Sequence, residues 1–266
     1  MRLLTCISLL TLATTCAWGQ VPAPKAAPAK GRTGYLTAAE MPDVARIVPP
    51  PPAAGDPREA RDMAVYRATR SLEGTPRWAL AQSDNDLSTA GMLKVFSCSL
   101  GAGLTPANSP RLTALLGRAT VDWSSGFNTL KSLYGTKRPF EIEPARICLP
   151  NTTGLVNSSD YPSGHTTWGW AMGLMLAELA PDATTGVLVR ARAYGESRAV
   201  CGVHNVSAVE GGVATGTAVL AAQHGSAAFR ADMDAARTEM AGLRAAAKGK
   251  PESCALESQA LGKNPY

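Results

Sequence analysis

The sequence predicts an all-α chain, and three observations carry that prediction. Capping residues repeatedly stand before apolar runs: Asp56-Pro57, Thr75-Pro76, Ser88, Ser109-Pro110 and Ser163 each precede a stretch that keeps helical spacing. No stretch of any length alternates apolar and polar residues as a half-buried strand would. Aromatic residues make up only 6% of the chain, and Ala, Leu, Arg and Glu fill the periodic stretches instead, which favours helix over sheet.

Taken in order, residues 1–19 read as an export signal: Arg2, an apolar run over 3–12, and the small-residue pattern Ala17-Trp18-Gly19 before Gln20. Cys16 has no Leu three positions upstream, so lipidation is not expected. Residues 20–55 make a Pro/Ala-rich linker and N-terminal arm that includes the polyproline run Pro49 to Pro52. The all-α domain is expected over 56–248, with helices over about 57–71, 76–83, 88–100 and 110–133. Gly101 and Gly135 stop the third and fourth of these. A loop of about twenty residues then runs from Pro139 to Pro162, a length more common in functional loops than in plain connections. Helices follow over about 165–180, 182–200, 207–224 and 226–248. The tail, 249–266, reads as irregular and pinned at Cys254.

Charge and cysteine content narrow the setting. There are 26 Lys and Arg against 21 Asp and Glu, a formal net charge of +5, and the cations are scattered rather than striped. That suits a small anionic substrate and gives no indication of nucleic-acid binding. The longest apolar stretch, Trp168 to Ala177, is too short to span a bilayer, and a homo-oligomer is left open. Signal cleavage removes Cys6 and Cys16 and leaves Cys98, Cys148, Cys201 and Cys254, so two disulfides are expected, in one of three pairings. Cys98–Cys148 with Cys201–Cys254 is the favoured pairing, because each bond then ties segments that are neighbours in sequence. Asn151, Asn157 and Asn205 each begin an Asn-x-Ser/Thr sequon, which has no meaning in a bacterial host.

The chemistry concentrates at Tyr161-Pro162-Ser163-Gly164-His165. A tight turn, an N-cap and an apolar helix bring backbone N–H groups, a hydroxyl and an imidazole to one helix N-terminus, which is an anion site by construction. Lys131-x6-Arg138-Pro139 lies upstream and Ser197-Arg198-x5-His204 downstream. Taken singly, each of these residues has an ordinary structural reading; together they place three cations and two of the chain's three histidines around one turn. Such a set can hold the charge on a transferring phosphoryl group while one imidazole attacks phosphorus and the other protonates the leaving alcohol. No cluster at metal-ligand spacing is present, and that chemistry needs neither metal nor other cofactor. His224 lies at the end of an apolar helix and reads as a dipole contact.

These three ordered motifs resemble the signature of the type 2 phosphatidic acid phosphatase superfamily, most closely its class A bacterial nonspecific acid phosphatases, over roughly residues 40–245. The resemblance implies a helical fold of the acid phosphatase/vanadium haloperoxidase kind and periplasmic, metal-independent hydrolysis of small phosphomonoesters. By carry-over His204 is the nucleophile and His165 the general acid. Lys131, Arg138, Ser163, Gly164 and Arg198 bind the phosphoryl group.

One position departs from the pattern. The family has an Asp four residues after the nucleophilic His, where it orients the ring, and this chain has Ala208. Glu210, Ser207 or a carbonyl are the candidate replacements, although 208 and 210 lie about 200° apart around a helix. Two other readings stand beside hydrolysis: a vanadate-dependent haloperoxidase-like oxidoreductase that would use the same oxyanion cradle, and, because of Ala208, a catalytically weakened protein that binds phosphate or phosphoesters.

Overall fold

The structure, a computed structural model, describes residues 33–150, 153–249, 254–262 and 264–266. The export signal, residues 1–19, and the first part of the linker, residues 20–32, lie outside these residues. The described residues fold as one all-α unit, with no strand among them. The helices are α1 (Val44–Ile47), α2 (Pro57–Thr69), α3 (Pro76–Ser83), α4 (Thr89–Leu100), α5 (Pro110–Tyr134), α6 (Pro139–Ile142), α7 (Gly164–Leu179), α8 (Thr184–Cys201), α9 (Val206–Gln223), α10 (Ala227–Ala246) and α11 (Cys254–Leu261).

The expected punctuation does its work at most of the ends. Asp56, Thr75, Ser88, Ser163 and Ser226 each accept a backbone N–H from the first turn of the helix they precede. Gly101 and Gly135 take left-handed φ values of 70° and 56° and close α4 and α5. At the start of α5 the cap comes from elsewhere: Glu239 of α10 accepts from the N–H groups of Arg111 and Leu112 at 2.9 and 3.0 Å. Asp62 of α2 serves α9 in the same way, accepting from the N–H and hydroxyl of Ser207. These long-range carboxylates also satisfy the helix-dipole preference for negative charge at an N-terminus.

α7 is the axis of the fold. It is apolar on nearly every side, so it is buried between α8, α9, α5 and α10. Small residues let those helices come close. A Cβ built on Gly212 of α9 would lie 2.7 Å from the Ser163 carbonyl oxygen, and one on Gly173 of α7 would lie 2.4 Å from the Ala191 methyl of α8. Backbone thus meets backbone where the Pro-Ser-Gly-His turn enters α7. The core around it contains Phe96, Leu112, Leu115, Trp123, Met172 and Phe229.

Three sequence expectations change. The N-terminal arm is partly built into the core: Tyr35 and Val44 are buried, and Asp122 accepts from the Tyr35 N–H at 2.9 Å. The tail carries α11, which packs on α3 and sends Glu257 to Arg190 of α8 at 2.9 Å. The disulfides are Cys98–Cys254 and Cys148–Cys201, not the favoured pairing. Sequence neighbours are not the spatial neighbours here. The Cys148 N–H donates to the Cys201 carbonyl at 3.0 Å, so the loop before the turn runs along the end of α8, and α11 returns across the bundle to α4.

Candidate active site

Each motif is set by the end of an element. Lys131 stands on the last turn of α5, and Arg138 precedes Pro139 at the start of α6. Ser163 caps α7, with Gly164 and His165 as its first two helical residues. Arg198 lies on the last turn of α8; Gly202, at φ 79°, ends that helix and releases the short link Val203-His204-Asn205 before α9. The N–H groups of Val203 and His204 both turn back to the Arg198 carbonyl, so the third motif is a closed unit.

Lys131, Arg138, Arg198 and the two motif histidines lie within electrostatic reach of one another. Arg198 is fully buried, and its Nε and Nη1 have no hydrogen-bond partner among the described residues; Nη2 donates to Asn85 Oδ1 at 3.2 Å. Burial brings its pKa down to about 10. Burial and the adjacent Arg138 bring Lys131 down to about 8, against the pull of Asp160, and its ammonium donates to the Ser159 carbonyl. Arg198 thus keeps two buried guanidinium donors without a partner among the described residues, which is costly unless a ligand completes them. Asp160 is a buried carboxylate that acts on Lys131 and Arg138, and it is engaged by His204 and Asn205.

The turn offers a slightly different donor set from the one expected. The Ser163 N–H is occupied, donating to the Ala208 carbonyl at 2.9 Å. The Ser163 hydroxyl oxygen accepts from the N–H and hydroxyl of Thr166, which leaves its own proton to donate. The N–H groups of Gly164 and His165 remain at the open end of the helix. Gly164 is pressed on the Phe127 ring, where a Cβ would sit 3.1 Å away.

Arg138 divides its contacts. Its Nε donates to the carbonyls of Leu155 and Ser158 at 3.0 Å, and its Nη1 donates to Val203 O at 2.7 Å and to His204 Nε2 at 3.2 Å. A guanidinium only donates, so Nε2 of His204 accepts and the ring proton is on Nδ1. That nitrogen faces Asp160 Oδ1 at 2.8 Å, with both side chains 3% exposed. Burial, then Arg138, Lys131, Arg198 and His165, hold the His204 imidazole well below the ordinary histidine range. Burial pushes Asp160 up to about 7, while Arg138, Asn205 and Lys131 pull the other way. His165 is half-buried in its turn, with Nε2 3.3 Å from the Asn85 carbonyl and its ring stacked on Tyr194. Burial and Arg198 hold it too well below the ordinary range.

Glu210 is not the orienter of His204. It is exposed on α9 and paired with Arg61 at 2.6 Å, on the far side of the helix, as the 200° offset requires. Ser207 is engaged by Asp62. His224 lies apart from the site, 3.1 Å from Glu178.

Sequence reasoning passed over Asp160, Asn205, Asn85 and Asp84. Asn85 touches both Arg198 and His165, and its neighbour Asp84 accepts from Ser197 at 2.6 Å and from Arg190 in a buried pair. The one signal available for Asp160 was its place two residues before Pro162, inside the same turn. Nothing local marked Asp84 and Asn85, which sit at the end of a helix some 80 residues upstream of the turn.

Residues 112–230 match the PAP2 superfamily. The chain is 40% identical over 213 residues to an acid phosphatase of Zymomonas mobilis subsp. mobilis, covering 79% of this chain and 81% of that one. It is 31% identical to a non-specific acid phosphatase of Providencia stuartii, over 79% of this chain and 86% of the other, and 30% identical to one of Salmonella typhimurium, over 73% and 78%.

Proposed function

This chain belongs to the PAP2 superfamily and is an acid phosphatase hydrolysing phosphomonoesters, and from that premise we propose that it works through a phosphohistidine on His204, outside the cytoplasm. The observation that carries this reading is the buried Arg198, with two guanidinium donors that have no partner among the described residues and with Arg138 within electrostatic reach. A phosphoryl group fills that demand, since Arg forks across two phosphate oxygens while the Ser163 hydroxyl and the N–H groups of Gly164 and His165 take the rest.

In the first step, Nε2 of His204 forms a bond to phosphorus, displacing its contact with Arg138. The P–O bond to the alcohol breaks, and the alcohol oxygen takes a proton from the His165 imidazolium. The Nε2–H of His165 faces the Asn85 carbonyl, so Nδ1 is the nitrogen free to hand over that proton. In the second step, neutral His165 takes a proton from water as its oxygen bonds to phosphorus. The P–N bond breaks, releasing phosphate and restoring both rings. The cations act in both steps by holding charge on the equatorial oxygens.

The leaving group falls on the His165 side, where a cleft of about 260 Å³ is lined by Leu87, Met92, Leu116, Trp123, Trp168 and Met172. Trp168 is one turn beyond His165, and Leu87 is two residues beyond Asn85. Its walls are mainly apolar, with Ser88, Thr89 and Thr120 among them, and favour aryl or otherwise apolar alcohols over glycerol-like ones. Placement in the periplasm rests on the leader-like residues 1–19 and on two disulfides, which persist in oxidising compartments.

The test is hydrolysis of p-nitrophenyl phosphate by the chain lacking residues 1–19, with EDTA present, across roughly pH 4 to 8, beside His204→Ala and with alkaline quenching to trap phosphohistidine. EDTA-resistant turnover and a trapped phosphoenzyme, both lost in the variant, are expected. Turnover surviving in His204→Ala would sink the mechanism.

A further inference from the structure

We propose that Asp160 is the positioning carboxylate of His204, performing from the loop before α7 the task for which Ala208 on α9 has no carboxylate. The inference rests on His204 being the nucleophile.

Two contacts from opposite sides give the ring a single working tautomer. Arg138 donates to Nε2, so Nε2 must present a lone pair; Asp160 Oδ1 at 2.8 Å accepts the proton that is then on Nδ1. That is the tautomer that attacks phosphorus through Nε2. As the P–N bond forms, the ring gains positive charge, and a buried carboxylate on Nδ1–H stabilises it.

Asp160 is itself held at both its carboxylate and its backbone. Asn205, the residue after the nucleophile, donates its backbone N–H to Oδ1 at 3.3 Å and its Nδ2 to Oδ2 at 3.0 Å. The Asp160 N–H donates to the Thr136 carbonyl at 2.9 Å, within the segment between Lys131 and Arg138. Asp160 therefore joins all three motifs: its backbone is fixed by the first, it lies in the loop leading to the second, and its side chain grips the third. An orienting group needs such a rigid mount, because a ring misplaced by a fraction of an ångström loses its line of attack.

The other positions are closed to this role. Ala208 is fully buried and contributes its carbonyl to Ser163; Ser207 is engaged by Asp62; Glu210 faces solvent with Arg61. The other charged or titratable groups that act on the His204 ring are Arg138, Lys131, Arg198 and His165, three cations and an imidazole.

The decisive experiment reads the His204 ring and the rate together. In ¹⁵N-histidine-labelled protein, assigned with His204→Ala, the neutral His204 ring should carry its proton on Nδ1, seen as a downfield ¹H signal. Asp160→Asn should abolish that signal and lower kcat about 10²- to 10⁴-fold, as loss of the orienting Asp does in serine-protease triads, with Kd for inorganic phosphate unchanged within about threefold. A proton on Nε2 in the unsubstituted enzyme would overturn the proposal, with no variant needed. So would an Asp160→Asn enzyme that turns over within about threefold of the unsubstituted one. If instead the unsubstituted enzyme turned over no faster than His204→Ala, the phosphohistidine reading would fall, and the ring spectrum would still decide whether Asp160 sets the tautomer.

Discussion

The N–H of Ser163 donates to the carbonyl of Ala208 at 2.9 Å, tying the cap of α7 to the first turn of α9. The residue that lacks the expected carboxylate therefore still connects the turn to the helix that follows His204, through its main chain. The connection depends on α9 approaching at backbone distance, and Gly212 is where that approach is tightest.

Gly212→Ala should therefore damage stability and catalysis together. Its methyl would sit 2.7 Å from the Ser163 carbonyl oxygen and 2.8 Å from Thr166 Cβ, neither of which is a flexible end that can swing away. Overpacking of this kind costs about 1–3 kcal/mol. A melting temperature lower by about 5 °C and at least a tenfold loss of kcat are expected, read by thermal denaturation and p-nitrophenyl phosphate hydrolysis. An unchanged melt would mean that the helices separate without cost.

Arg198→Lys keeps a charge but loses the fork. The two open donors, Nε and Nη1, are the ones a single ammonium cannot replace. Inhibition by inorganic phosphate should weaken by about 10- to 100-fold, because charge-assisted bonds to a buried anion contribute about 1.5–3 kcal/mol each. An inhibition constant within a factor of about two would show that the anion sits elsewhere.

The depressed histidines make a signed prediction about pH. In the empty site burial and Arg198 hold His165 well below the ordinary range, and a bound phosphoryl dianion offsets the cations and raises it. In the proposed mechanism the acid form of His165 is the working form, so activity should fall as pH rises through its pKa. That fall should come at higher pH in kcat, which reports the substrate complex, than in kcat/KM, which reports the free enzyme. Coincident limbs would contradict the placement of His165 among the cations. Separately, phosphate affinity should decline above the Lys131 pKa of about 8, and Lys131→Met should bind more weakly without that decline.

The Cys148–Cys201 bond closes a loop with a sequence separation of 53, and chain entropy alone gives such a link about 4 kcal/mol. Replacing both cysteines by Ser should lower unfolding stability by that order and reduce kcat, because Cys201 ends the helix that presents Val203 and His204. Urea denaturation with parallel activity measurements checks both; loss of stability alone would mean that Gly202 and Arg70 suffice to hold the link.

The sequence by itself determined the helical class, most helix starts and the three motifs. These are local properties: a cap, a breaker or a run of periodic apolar residues acts within one or two turns, and the motif spacings place each cation and imidazole at an element's end. Tertiary structure decided what lies between elements. It paired the cysteines across α4 and α11, it brought Asn85 against both His165 and Arg198, and it gave Asp62 and Glu239 to helices far from them in sequence. It also answered the gap at position 208. A carboxylate is recognised by where its oxygens lie rather than by its place in the chain, so Asp160, 44 residues before His204, faces its ring, while Glu210, six residues after it, turns to solvent.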